Sequence, residues 1–300
     1  MLSPKNILLI AMLVLTAVFV AIWVRTARAR RAGDAGGQGA SPGPLHLAIG
    51  FVTNFFDTLG IGSFATTTTL YRLRRLVPDQ LIPGTLNVGH TPPTIVQALI
   101  YITIVQVEFD TLLLLIIAAV GGSWIGAAIV SGLPRAEIQR GMGVALLVAA
   151  LLMVATALNV LPLGGDALGL SGPTLILAVG INFVLGALMT LGIGAYAPIM
   201  IMVSLLGMNP TAAFPIMMGS CAFLMPVAGM QFVRKQKYHL RASVGLGLGG
   251  MPAVLIAALI VRSLPLTYVR WLVVIVVLYA ATTLLRASVV EASEQRAPTG

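Results

Sequence analysis

Thr58-Leu59-Gly60-Ile61-Gly62 recurs 132 positions later as Thr190-Leu191-Gly192-Ile193-Gly194, and without a gap Pro78 falls on Pro210 and Pro83 on Pro215. Each copy lies inside long apolar sequence. Duplicated hydrophobic halves, each interrupted by glycine at the same place, are the pattern of a secondary transporter whose substrate site lies between two repeats.

Composition sets the solvent. With 58% hydrophobic and 9% charged residues, the chain is far more apolar than a soluble domain, in which about a quarter of residues are charged. Three hundred residues would have almost nothing polar to place around a soluble core. The single cysteine, Cys221, excludes an internal disulfide and a cysteine metal cage. A net charge of +9 would suggest nucleic acid in a soluble protein. Here the basic residues sit in short patches beside apolar spans, without interleaved aromatics, so they read as orientation signals.

Runs long enough to cross about 30 Å of hydrocarbon occur at 7–24, 84–105, 111–131, 141–161, 211–232, 243–261 and 268–285. Two further segments, 45–75 and 172–207, are too long for a simple span, and each carries the glycine motif near its middle. The first run resembles a signal peptide. However, only Lys5 precedes it while Arg25, Arg28, Arg30 and Arg31 follow it, the reverse of a cleaved signal's charge order. It reads as a retained anchor, followed by a Gly/Ala/Pro/Ser-rich flexible linker at 32–44.

Each glycine-broken segment is either one kinked span or a hairpin that enters and leaves on one side. The arginines and lysines decide. With two hairpins, 15 of the 18 basic residues fall on one side, leaving Lys5, Arg262 and Arg270 on the other; with two through-spans the split is 10 to 8. The positive-inside rule favours hairpins. A hairpin plus three spans crosses the membrane an odd number of times, so the second half enters from the opposite face.

The expected fold is therefore an all-α integral membrane protein with two inverted repeats, each a glycine-broken re-entrant helical hairpin plus three transmembrane helices, preceded by one N-terminal anchor helix. Its divisions are 1–31 anchor and arginine patch, 32–44 linker, 45–161 repeat 1, 162–171 outer loop, 172–287 repeat 2 and 288–300 tail. The N-terminus would lie outside and the C-terminus in the cytoplasm, in a multi-pass inner-membrane protein.

Broken backbone at membrane depth persists only where protein or a water-filled cavity satisfies its N–H and C=O groups. Gly60, Gly62, Gly192 and Gly194 allow such a break, or a close approach to ligand; the alternative is that they merely permit tight helix packing. New half-helices would begin near Ser63 and Ala195, and their N-termini favour an anion.

The halves resemble the tandem repeats of the sulfite exporter TauE/SafE family, over roughly 45–287. The matching residues are Gly60-Ile61-Gly62 and Gly192-Ile193-Gly194 with Pro198 following, then Pro83 through Asn87-Val88 and Pro215 through Gly219-Ser220. The glycine runs are shortened to Gly62-Ser63-Phe64 and Gly194-Ala195-Tyr196, and Thr66 stands where the second half has its proline. The resemblance implies transport of sulfite, sulfonates or related sulfur-containing anions.

Asp57 is the one acidic residue placed deep in a membrane segment, and an intramembrane carboxylate is a functional hypothesis by default. Either it takes a proton, suiting a proton-coupled carrier, or it has a partner, with His90 the candidate. The bland alternative is that Asp57 bonds the freed amides of the turn and His90 a carbonyl. Thr66 and Thr67 open the second half-helix, Asn87 and Ser220 fall beside each other in corresponding helices, and Tyr196 offers a hydroxyl where the first half has Phe64. The expected substrate-binding set is Gly60, Gly62, Ser63, Thr66, Thr67, Asn87, Gly192, Gly194, Tyr196 and Ser220, with Asp57 and His90 coupling protons. Met189 and Ala222 replace Asp57 and His90 in the second half, so the site should be asymmetric. There is no metal-ligand spacing, phosphate loop or nucleophile elbow, so no cofactor and no enzyme is expected. The partners are a small anion, protons and the lipid bilayer, with no nucleic acid; a homo-oligomer is compatible with this reading. The competing readings are an intramembrane enzyme using Asp57 and His90, and an anion channel of the same fold.

Overall fold

The computed structural model describes residues 3–33, 41–158, 160, 164–192 and 194–260, with scattered positions between 275 and 289. The expected span 268–285, the tail and most of the linker therefore lie largely outside the described residues. The helices are α1 (Pro4–Gly33), α2 (Pro44–Thr58), α3 (Ser63–Leu73), α4 (Ile82–Gly89), α5 (Thr91–Ile104) and α6 (Phe109–Val130). They continue as α7 (Arg135–Ala157), α8 (Gly172–Met189), α9 (Tyr196–Leu205), α10 (Ala213–Arg234) and α11 (Leu240–Ile260). Among the described residues five stretches are long and apolar enough to span a bilayer: Pro4–Ala29, Phe109–Val130, Gly172–Met189, Pro210–Arg234 and Leu240–Leu259.

Both glycine motifs interrupt a helix. α2 ends where Gly60 (φ 89°) and Gly62 (φ 86°) take left-handed backbone, a region that costs an L side chain roughly 1–2 kcal/mol. The amides of Leu59, Gly60 and Ile61 bond back to Phe56 and Asp57 carbonyls, which closes the helix end. The second break repeats this device with Gly192 (φ 103°), whose amide reaches the Met189 carbonyl.

Each break folds its two half-helices back on one another. His46, near the start of α2, lies 6.5 Å from Tyr71, near the end of α3. In the second half Ala167, before α8, pairs with Met208, after α9. The open ends lie at opposite ends of α6. Around the first are the bonds His239 N to Thr85 Oγ1, at 2.9 Å, and Tyr71 OH to the Ala242 carbonyl, at 3.4 Å. Lys235, in the same loop, donates to Ser131 just past the end of α6. At the second, Glu108 N, just before α6, donates to the Leu168 carbonyl at 2.8 Å.

The halves are exchanged rather than stacked side by side. α2 packs along α11, and α8 packs along α6. Glycine paves both crossings: a side chain at Gly249 would overlap the Leu47 carbonyl, and one at Gly122 the Phe183 carbonyl. Close backbone approach of this kind is how membrane helices gain contact without a hydrophobic driving force.

The expected run 84–105 is two helices. Its break falls at His90, two residues before Pro92-Pro93. Two consecutive prolines remove the amides that would bond Val88 and Gly89 carbonyls, whereas Thr94 N regains a partner in the His90 carbonyl at 3.0 Å. In the second half Pro226 stands alone, and α10 runs through it.

The helix read from the sequence as an anchor packs against the others. Met12 and Phe19 of α1 are fully buried. Phe19 lies against Gly229 of α10, and Lys5 Nζ donates to the Thr103 carbonyl at 3.0 Å. α1 is part of the bundle.

Candidate functional site

The two breaks meet at one cavity of about 30 Å³, between the halves. Gly62, Ser63 and Phe64 approach from the first break and Gly194 and Ala195 from the second; Asp57, Thr94, Gln97 and a sulfur-bearing wall complete the lining. A Cβ built on Gly194 would stand 3.9 Å from Phe64 Cβ, whereas one on Gly62 would meet nothing within 4 Å. The glycine spacing thus leaves open space at the first break and close packing at the second.

Asp57 spans its own break. Its Oδ1 accepts from Ser63 N at 2.7 Å and its Oδ2 from Gln97 Nε2 at 3.0 Å. The carboxylate therefore occupies the N-terminus of α3, the place an incoming anion would otherwise take. At α9 the equivalent position is Met189, which has no carboxylate to place there, and the N-cap residue is Ala195. Gln97 Nε2 also reaches Thr58 Oγ1 at 2.9 Å. Tyr101 OH donates to the Thr58 carbonyl at 2.7 Å.

His90 is not the partner of Asp57. Its Nδ1 lies 3.0 Å from Asn54 Oδ1, and its Nε2 lies 3.0 Å from Thr67 Oγ1. Asn54 Nδ2 donates to the Gly50 carbonyl at 2.7 Å, so its Oδ1 must accept and Nδ1 must carry the proton; in the neutral ring Nε2 then accepts from Thr67. Phe64 stacks on the imidazole at 5.6 Å, and His90 is outside the cavity lining.

Of the expected binding residues, Gly62, Ser63 and Gly194 line the cavity together with Asp57. Thr66 donates back to the Gly62 and Ser63 carbonyls. Asn87 Nδ2 donates to the Pro83 carbonyl, and its Oδ1 is buried without a partner. Ser220 accepts from Asn182 Nδ2 at 3.1 Å. Gly60 and Gly192 shape the turns, and a Cβ on Gly192 would lie 3.5 Å from Leu86. The backbone of Tyr196 begins α9; its side chain and Ile193 lie outside the described residues.

Sequence reasoning missed Gln97, Asn54, Asn182 and the sulfur wall. Met217, Cys221 and Met225 recur every four residues on α10, a one-face spacing that was readable in the chain. Met189 and Met218 join them, and Cys221 Sγ lies 3.5 Å from Met189 Sδ. Gln97 and Asn54 each interrupt an apolar run, and a buried amide there demands a partner.

Apolar spanning helices around a central cavity built from broken backbone define a multi-pass helical membrane protein. The sulfite exporter TauE/SafE family model matches residues 1–153, half of the chain, and the chain belongs to that family. The match takes in α1, which the sequence resemblance had left out. It ends within the first half, so the second half is joined to the family only by the internal repeat. No curated protein and no solved structure matches the chain.

Proposed function

We propose that the chain is a secondary transporter carrying a small sulfur-containing or organic anion across the inner membrane by alternating access, with proton coupling at Asp57. The observation that carries this reading is the meeting of two glycine-broken hairpins, opened toward opposite ends of α6, at one small cavity. Hairpins of opposite sense and the exchanged packing of α2 and α8 support inverted repeats, with the N-terminus outside and the C-terminus in the cytoplasm. The family is a transporter family and supplies the substrate class. About 30 Å³ holds one or two waters, so the cavity must widen to load an anion.

Asp57 and the substrate compete for one place. Ionised, the carboxylate fills the α3 N-terminus; protonated, it accepts more weakly from Ser63 N and frees that end for an anion. The α9 N-terminus provides the second contact. Thr66, Asn87, Gly192, Tyr196 and Ser220 act around this centre as supporting groups, and His90 positions Thr67 and Asn54.

Radiolabelled sulfite flux into proteoliposomes tests the proposal. Saturable flux, driven by an inward proton gradient and lost in Asp57→Asn, is expected. Gradient-independent flux that survives in Asp57→Asn would sink proton coupling at this residue.

A further inference from the structure

We infer that the cavity takes its cargo as a singly charged, proton-bearing sulfur oxyanion, hydrogensulfite rather than the sulfite dianion or sulfate. This deepens the transport reading above and rests on it.

The first argument is charge. Among the described residues no lysine, arginine or histidine lines the cavity, and the one ionisable oxygen acid there is Asp57. A dianion beside an ionised Asp57 would gather three negative charges against no cation, and even a protonated Asp57 would leave two. In a low-dielectric enclosure like charges repel strongly. A monoanion beside a protonated Asp57 leaves a single charge, which a helix N-terminus can offset.

The second argument is hydrogen bonding. Gln97 lines the cavity and is fully buried. Its amide orientation follows from its partners: Thr58 Oγ1 gives its own proton to the Asn54 carbonyl, so it must accept from Gln97, and the nitrogen faces Thr58 Oγ1 and Asp57 Oδ2 whatever the charge of Asp57. Oε1 is left buried with no partner. That atom requires a donor. Sulfate and the sulfite dianion carry none, whereas hydrogensulfite offers one O–H and keeps two oxygens for the α9 amides.

The third argument is the wall. Met189, Met217, Met218, Met225 and Cys221 present thioethers and a thiol where a site for a strongly hydrated dianion would present amides and guanidinium groups. Polarisable sulfur suits a diffuse single charge.

The groups that titrate near Asp57 are Tyr101 of α5, held by the Thr58 carbonyl, and Cys221 of α10, held against Met189. His90 lies behind Phe64 with both nitrogens engaged.

Equilibrium binding of ³⁵S-labelled sulfite to the purified full chain tests the inference, in the wild type and in Asp57→Asn, which cannot titrate at that position. Above the pH at which hydrogensulfite ionises, the apparent Kd for total sulfite should rise about tenfold per pH unit in Asp57→Asn and at least as steeply in the wild type, where Asp57 must also hold its proton. Sulfate should fail to compete. Methanesulfonate, a monoanion without an O–H, should compete at least tenfold more weakly than hydrogensulfite, and Gln97→Met should narrow that gap. Binding that is flat with pH or tightens as the dianion forms, or sulfate competing as well as sulfite, overturns the inference. Binding with the expected pH dependence but no flux in proteoliposomes would instead sink the transport reading; saturable sulfite flux with pH-flat binding sinks the inference alone.

Discussion

Replacing His90 by phenylalanine tests the polar chain behind the cavity. The phenyl ring keeps the volume and the stacking on Phe64 but removes both nitrogens. Asn54 Oδ1 and Thr67 Oγ1 then lose their partners, and both residues are fully buried. An orphaned buried group costs about 1–3 kcal/mol. Thr67 can turn its hydroxyl to the carbonyl one turn earlier, as helical threonines do, which recovers part of its share. Asn54 cannot turn, because its Nδ2 is committed to the Gly50 carbonyl. The variant should therefore lose about 2–3 kcal/mol, nearly all of it through Asn54. Folded fraction against SDS mole fraction in mixed micelles measures the loss. The double variant His90→Phe/Asn54→Leu removes both members of the pair and should recover at least half of it. A single variant within about 0.5 kcal/mol of wild type, the range of ordinary surface changes, would refute the reasoning. So would a double variant whose losses simply add.

Gly62→Ala meets open space, so it should cost only the backbone strain of a left-handed alanine, about 1–2 kcal/mol, while flux through the altered cavity falls further than stability. Gly122→Ala instead drives a methyl into the Phe183 carbonyl of α8; in the same micelle titration its loss should exceed that of Gly62→Ala. His239 lies in the loop before α11, and its pKa is lowered from 6.5 by burial, then by His46 and Arg241. An unfolded histidine there binds its proton at higher pH than the folded one, so stability falls as pH drops below about 6.5; His239→Gln should flatten that part of a stability–pH profile. Labelling of a cysteine at Arg74 should occur from the same membrane side as one at Lys237, and opposite-side labelling would rule out hairpins.

The helical architecture was legible because apolar runs of span length have few other uses. The two turns were legible because only glycine takes φ near 90° without penalty, and the repeat of Gly60-x-Gly62 at Gly192-x-Gly194 marked both. The helix boundaries beside Pro92-Pro93 were less so, since a proline acts on the carbonyls behind it and moves the break to His90. The partners of Asp57 were half legible. Its bond to the turn amide follows from proximity in the chain, but Gln97 arrives from α5 across a tertiary contact that no local pattern encodes. The Asp57–His90 pairing failed for the same reason: Phe64 stands between the cavity and the imidazole, and nothing in spacing alone says which side of a helix a ring will take. The burial of α1 was invisible because a lipid-facing helix and a bundle helix share one composition.

The exchanged packing of α2 on α11 and of α8 on α6 bears on how the chain is made. α2 leaves the ribosome early, yet the surface that covers Gly50 belongs to Gly245 and Leu246, near the end of the described chain. Until α11 is inserted, that glycine-lined face has only lipid or the insertion machinery against it. α6 and α8 are neighbours in synthesis and can close at once. Assembly thus has an order written into it, with the α6–α8 crossing able to close before α11 is made and the α2–α11 crossing only after it. A first half produced alone would lack the cover for its own first hairpin, and two separately expressed halves would have to find each other before either could complete its core.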